Sequence, residues 1–364
     1  MMQKLLVLLL IGLVVVCLFV PISCSQPPQQ GSQASEPVVE GVSSAYSGPQ
    51  KSASGPVKAE QSESPATSPN QFQPESKLPA RPNVRVVVTQ DFGSQVVLDK
   101  YVLPKKDESA LEVLQRIAEV ETKYGGGFVV GINGIRSRYP KERSDWFFYV
   151  NGILANVGAG GYKLRPGDVE HWDFHGWGFN TFIPAIIGSF PQPFLSGYGG
   201  RVRPTVIVHQ PGFRQIAEKL RDTLTRLGVK EIHLQTTALA PEKQHCHLIL
   251  LGTQKFGPLR ELNRNYKKLG FFFKFEDDEG AVVFDSRGKA TRVKSVGVIQ
   301  ATQNPWSAKG VGAGESAAWM ISGTDEAQVR AAADTLAEHW EQLGCAFAIA
   351  LINQKIIRLP HANL

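Results

Sequence analysis

Two histidine pairs are the first candidates for chemistry. His171 and His175 sit in "HWDFH", and His245 and His247 in "HCH". Imidazoles at short spacing are the usual start of a metal site. On a strand, positions four apart lie about 13 Å apart at ~3.3 Å per residue, so His171 and His175 cannot share one ion. His245 and His247 share a face at about 6.6 Å by the same rise. They have no third ligand nearby and read as a strand-edge pair. Asp277 and Asp278 lie in the acidic turn "EDDEG" and read as solvated loop rather than an acid–base pair. The glycine-rich "KGVGAGES" at 309–316 leads into a strand, so it lacks the helix N-terminus that cradles phosphate and reads as a flexible loop. No nucleophile elbow, P-loop or H-E-x-x-H pattern occurs. The expectation is a protein without catalytic residues, metal or cofactor.

The stretch that remains is aromatic. Residues 145–175 read "DWFFYVNGILANVGAGGYKLRPGDVEHWDFH". Alternation along "WFFYV" puts Trp146, Phe148 and Val150 on one strand face and Phe147 and Tyr149 on the other. Both faces are apolar, so one should cover a helix and the other a partner or the later aromatics Trp177 and Phe179. Asn151-Gly152 is a strong hairpin turn signal. The rim beyond it, 151–161, is small, apolar and glycine-rich, which lets backbone approach a ligand closely. The candidate binding residues are Trp146, Asn151, Ile153, Leu154, Ala155, Asn156, Val157, Gly158, Tyr162 and Trp172.

The surrounding elements must hold that rim. "NVRVVVTQDFGSQVVLDKYV" reads as a hairpin, and "DESALEVLQRIAEV" (107–120) as a helix capped by Asp107 or Ser109. "FVVGINGI" is a strand, as is 169–174 after the Pro-Gly-Asp turn. Residues 176–200 are rich in Gly, Pro and Phe and read as a linker or a packed arm. From 202 onward, short apolar β runs alternate with helices at 213–227, 257–269 and in "TDEAQVRAAADTLAEHWEQL", the pattern of a layered α/β domain. "FFFKF" and "AVVFD" read as an inserted hairpin.

The chain begins "MMQKLLVLLLIGLVVVCLFVPISC", a short basic start followed by an apolar run too short to favour a permanent span of the ~30 Å hydrocarbon core. Residues 1–23 are therefore read as a signal peptide. Pro21-Ile22-Ser23-Cys24 is similar to a bacterial lipobox, with Pro21 where Leu or Val is usual, which implies lipid on Cys24. An uncleaved anchor or ordinary secretion are the alternatives, and all three place the body outside the cytoplasm. Residues 24–82 hold 12 Ser, 10 Pro and 8 Gln, a composition expected to be a disordered tether. With Cys17 in the signal, only Cys246 and Cys345 remain in the body. They read as buried free thiols, although extracellular space would permit pairing. The formal charge of +6 includes 21 basic and 16 acidic side chains beyond residue 201, a surplus that suits an anionic envelope polymer but not nucleic acid.

Residues 83–175 resemble the transcobalamin-like C-terminal domain family. The likeness is carried by the helix after the first hairpin, by "GGFVVGINGI" and by "DWFFYVNGILANVGAGGYKLRPGDVEHWDF". The resemblance implies a β-grasp-like domain in which the loop after the Trp strand, 153–158 here, faces a corrin ring. The large helical barrel that completes the pocket in animal vitamin B12 carriers has no counterpart in this chain. "AAWMISGTDEAQVRAAADTL" resembles α/β modules of surface-layer and envelope glycan-associated proteins over a short stretch. The fold class expected is thus α+β / α/β: signal 1–23, tether 24–82, β-grasp-like domain 83–178, linker 179–201 and α/β domain 202–364. The function expected is capture of a small molecule, cobalamin or another corrinoid foremost, by a membrane-anchored surface protein, with an envelope polymer or a transporter as a further partner. A non-catalytic envelope scaffold or adhesion module is the second reading.

Overall fold

A computed structural model describes residues 83–236, 245–276 and 280–361. The expected signal, the Cys24 lipid site, the tether and the Asp277-Asp278 turn lie outside the described residues. The fold is mixed α+β with sheets dominating.

The first sheet is built from β1 (Val84–Gln90), β2 (Gln95–Val102), β6 (Ser144–Val150), β7 (Ile153–Leu154) and β8 (Val169–Gly176), in the order β2-β1-β8-β6-β7. The β1–β8 pair is parallel and the others antiparallel. Between β2 and β6 come α1 (Ala110–Gln115) and a small sheet of β3 (Val120–Lys123), β4 (Phe128–Ile132) and β5 (Ile135–Arg136). Ser109 caps α1 in a reciprocal box with Glu112, as its residue type predicts. The helix is shorter than the sequence reading of 107–120. Val120 instead pairs with Ile132, and the glycines at 125–127 turn that segment into a hairpin, so strand pairing overrides the helical spacing. The strand read in "FVVGINGI" is itself a hairpin. Asn133-Gly134 takes positive φ at both residues, the same device as Asn151-Gly152.

The second sheet has seven strands: β9 (Thr205–His209), β10 (Ile232–Gln235), β11 (His247–Thr253), β15 (Gly297–Gln303), β16 (Ala317–Gly323), β17 (Ala348–Ile352) and β18 (Lys355–Leu359). Their order is β10-β9-β11-β16-β15-β17-β18. One face shares a core with α2 (Arg214–Arg226) and α4 (Glu326–Glu338). The other shares a core with α3 (Gly257–Arg264) and with the sheet of β12 (Phe273–Glu276), β13 (Gly280–Phe284) and β14 (Ala290–Val293).

All described residues fall in one compact unit. The segment between the two sheets is buried along much of its length, with Ile186, Ile187 and Phe194 fully enclosed. It bonds in both directions: Ile186 N–H donates to Gly152 O at 2.8 Å, and Ile187 N–H to Phe347 O at 3.3 Å. Gly188 sits where a Cβ would lie 2.4 Å from the backbone of Cys345 and Ala346. No flexible side chain is there to yield. Gly188→Ala is expected to lower the unfolding free energy by about 2 kcal/mol, within the usual ~1–3 kcal/mol cost of forced overpacking. Urea unfolding of the two proteins measures it, and an unchanged midpoint would contradict this account of the joint.

Candidate functional site

The aromatic strand β6 supplies both sides of the site. Its pairing with β8 sets Phe148 opposite Trp172, and their rings stack at 4.8 Å. This face looks toward α1. The other face carries Asp145, Phe147 and Tyr149 toward the second module, where Tyr149 meets Phe347 edge-on at 5.6 Å. Phe147 stacks on His175 at 4.1 Å.

Around the free edge of β6 lies an open cleft of about 430 Å³. Its floor is Asp145, Trp146, Phe147 and Phe148, its walls are the turn 126–129 and the rim residues Leu154, Ala155, Val157, Gly158 and Ala159, and Trp172, Trp177 and Thr181 complete it. The indoles of Trp146 and Trp172 are almost covered, at 6% and 4% exposure, whereas Val157 at 47% and Phe128 at 45% stand at the mouth. The lining is mostly apolar, with one carboxylate. Burial raises the Asp145 carboxyl above its usual range, against hydrogen bonds from the Trp146 N–H (2.9 Å) and the Ser137 side chain.

Six of the ten residues read from the sequence line this cleft: Trp146, Leu154, Ala155, Val157, Gly158 and Trp172. The other four face elsewhere. Asn151, expected to bond a ligand, spends its side chain inside the protein. Its Nδ2 donates to Asp168 Oδ1 at 2.8 Å and to Gly197 O at 2.7 Å, and its Oδ1 accepts from Val169 N–H at 2.8 Å. Ile153 is fully buried and bridges to Ala185. Asn156 donates to Ala313 O at 2.7 Å and accepts from the Tyr198 hydroxyl at 2.9 Å. Tyr162 is buried, its hydroxyl accepting from Gly199 N–H at 2.9 Å. The rim is therefore half site and half joint. The turn 126–129 and Trp177 were missed, because they come from a separate hairpin and from the arm. The repeated glycines at 125–127 were the available signal.

The histidines act inside the fold. Among the described residues, no group of three or more His, Cys, Asp and Glu side chains is placed to hold a metal ion. His247 is not at an edge, since β11 lies between β9 and β16. It is buried, its Nδ1 accepts from Ala317 N–H at 3.1 Å, and burial lowers its pKa to about 3. His245, by contrast, is exposed. His171 and His175 flank Asp173 on one face of β8. Asp173 pairs with His175 Nδ1 at 2.7 Å and accepts from Thr89 Oγ1 at 2.5 Å and Gly93 N–H at 2.8 Å. Burial would raise this carboxyl, but the His175 hydrogen bond and the nearby imidazoles hold it below its ordinary value. The loop 309–316 is tied down: Gly312 and Gly314 N–H both donate to Gln303 Oε1 at 2.9 Å. Cys246 and Cys345 are both buried.

A family described as a domain of unknown function (DUF4430) matches residues 107–176, a span that includes most of the cleft wall. Two solved structures show local likeness. A candidate metal-binding protein from Ruminococcus gnavus ATCC 29149 is 19% identical over 25% of this chain and 94% of its own, with a TM-score of 0.21. Haptocorrin in complex with Cbi is 17% identical over 27% of this chain, also with a TM-score of 0.21, and the matched part spans only 26% of haptocorrin. No curated protein matches the chain.

Behind the cleft, Glu170 is wholly buried and accepts from Trp172 Nε1 at 2.7 Å through Oε1, while Oε2 has no partner among the described residues. Burial pushes its carboxyl up to about 8. The folded protein thus keeps a proton that the unfolded chain sheds near pH 4.5. The stability this contributes is complete below that pH and is lost as pH rises through about 8. Glu170→Gln retains an acceptor for Trp172 and cannot ionise. Its unfolding free energy relative to the parent should therefore climb steadily between pH 5 and 8, and a pH-independent difference would refute the assignment.

Proposed function

We propose that this protein is a non-catalytic, extracytoplasmic ligand-binding protein, tethered to the membrane through Cys24, whose cleft at the β6 edge takes a small, flat, apolar molecule. The observation that carries the reading is the cleft itself: an open, mostly apolar hollow of about 430 Å³ walled by indoles and glycine backbone. That volume lies within the ~300–1,000 Å³ common for small-molecule sites. Corrinoids are the favoured class. The transcobalamin-like reading of 83–175, with its β-grasp-like arrangement, assigns the loop 153–158 to the corrin side, and four of its residues line the cleft. The hollow holds one edge of a macrocycle, and the ring plane then lies across the mouth against Val157 and Phe128. Tight shape-matched contact there needs no charged partner. An envelope scaffold is the competing reading, favoured by the ties of Leu154 O and the Asn156 amide to Gln303 and Ala313 in the second module.

Calorimetric titration with cobalamin and cobinamide separates the two. The proposal expects saturable heat together with quenching of tryptophan emission. Val157→Asp, at a half-exposed site, should weaken binding at least tenfold, about 1.4 kcal/mol, with thermal unfolding unchanged. A protein that takes up neither corrinoid at high micromolar concentration and instead sediments with wall polymer belongs to the scaffold reading.

A further inference from the structure

The floor of the cleft is a sheet edge with two backbone groups left over. On β6 the odd-numbered residues bond toward β8. Two bonds that continue this pairing beyond the strand ends fix the parity: Asn151 N–H donates to Val169 O at 2.8 Å, and Trp177 N–H to Arg143 O at 2.7 Å. In an antiparallel pair the N–H and C=O of the alternate residues then face outward, here at Ser144, Trp146, Phe148 and Val150. Most of that row is covered. Ser144 O accepts from Arg138 N–H at 3.1 Å, Phe148 O from Ala155 N–H at 2.9 Å, and Val150 pairs with Ile153. The Trp146 N–H is taken by its neighbour's carboxylate, Asp145 Oδ1, at 2.9 Å. What remains, besides the Ser144 N–H outside the cleft, is the Trp146 C=O and the Phe148 N–H, which have no hydrogen-bond partner among the described residues and belong to residues that line the cleft.

One acceptor and one donor, two residues apart on a strand edge, is the pairing that a single residue of a parallel strand requires. Such a guest donates its N–H to Trp146 O and accepts from Phe148 N–H, opposite Phe147. Groups attached to either side of the guest residue then meet apolar walls, Phe147 and Trp177 on one and Phe148, Trp172 and Val157 on the other. An unmet backbone pair inside an apolar hollow is costly unless a ligand engages it. We infer that the cleft selects ligands that present an N–H and a C=O side by side on one edge, as one residue of an N-acyl amino-acid amide does, flanked by apolar groups. This rests on the cleft being the binding site and adds the functional group that orients its ligand there.

The test uses the full chain labelled with ¹⁵N-phenylalanine, the Phe148 signal being assigned by its loss in Phe148→Leu. The probes are N-acetyl-L-phenylalanine benzylamide and the ester analogue in which oxygen replaces its acetamido N–H. The amide should shift the Phe148 N–H saturably, and the ester should bind at least tenfold more weakly. Equal binding of the two, or a Phe148 resonance that ignores both, overturns the inference. Cobinamide that binds by calorimetry without moving the Phe148 signal also overturns it while leaving the corrinoid reading intact. Amide capture without cobinamide binding does the reverse.

Discussion

The register of β6 on β8 is the constraint on which the rest of the structure depends. It decides which aromatics cover α1, which meet the second module and which backbone groups face the cleft. A slip of one residue would exchange all three sets at once. Asn151 prevents that slip. At positive φ it closes the hairpin, and its amide bonds Asp168, Val169 and Gly197, so the turn is pinned to the start of β8 and to the arm together. The residue that the aromatic stretch offered as a ligand contact is the one that fixes the strand's register.

The same register builds the joint between the modules. Its centre is polar rather than greasy: Asp173 gathers Thr89, His175 and the Gly93 N–H, while His175 is stacked between Phe92 at 4.4 Å and Phe147 at 4.1 Å. A carboxylate so enclosed is tolerable only because its oxygens are met by several donors. Burial also lowers His171 to about 4, so it stays neutral at ordinary pH beside that network. The directional bonds that cross between the sheets lie around this network, Arg358 Nη1 donating to Gly93 O at 3.2 Å and Gln303 Nε2 to Leu154 O at 3.4 Å, and they allow one mutual placement where apolar packing alone would allow several. Because Phe147 also lines the cleft, its floor is rigidly backed by the joint.

Much of the fold was legible where a local signal sufficed. The Ser109 cap, the Asn-Gly turn, the alternation of β6 and the helices α2 and α4 lie where periodicity put them. What was illegible was everything set by distant partners. Nothing local marks Val120 as a strand residue, since its partner Ile132 lies across a glycine turn. The pairing of His171 and His175 through Asp173 needs Thr89 from a strand 82 residues away. The cleft was half legible for the same reason. Residues of β6 and its rim were identified by type, while Gly126, Phe128 and Trp177 converge on them only in three dimensions.

An exposed sheet edge invites pairing with other chains, and folded proteins usually blunt it. β6 is blunted at both ends, by Arg138 at Ser144 and by Ala155 at Phe148, with the Asp145 carboxylate spent on the Trp146 N–H between them. The turn 126–129 and the rim loop close over the strand, approaching each other so nearly that a Cβ on Gly158 would lie 3.4 Å from Gly127 O. A second whole strand therefore cannot extend along β6. Only a window one residue long stays open, and its two groups sit among indoles rather than in bulk water. Protection against edge-to-edge association and selectivity for a small guest thus come from the same arrangement. Lengthening the window would weaken both, because it would admit any extended chain and would remove the walls that give a small amide its apolar contacts.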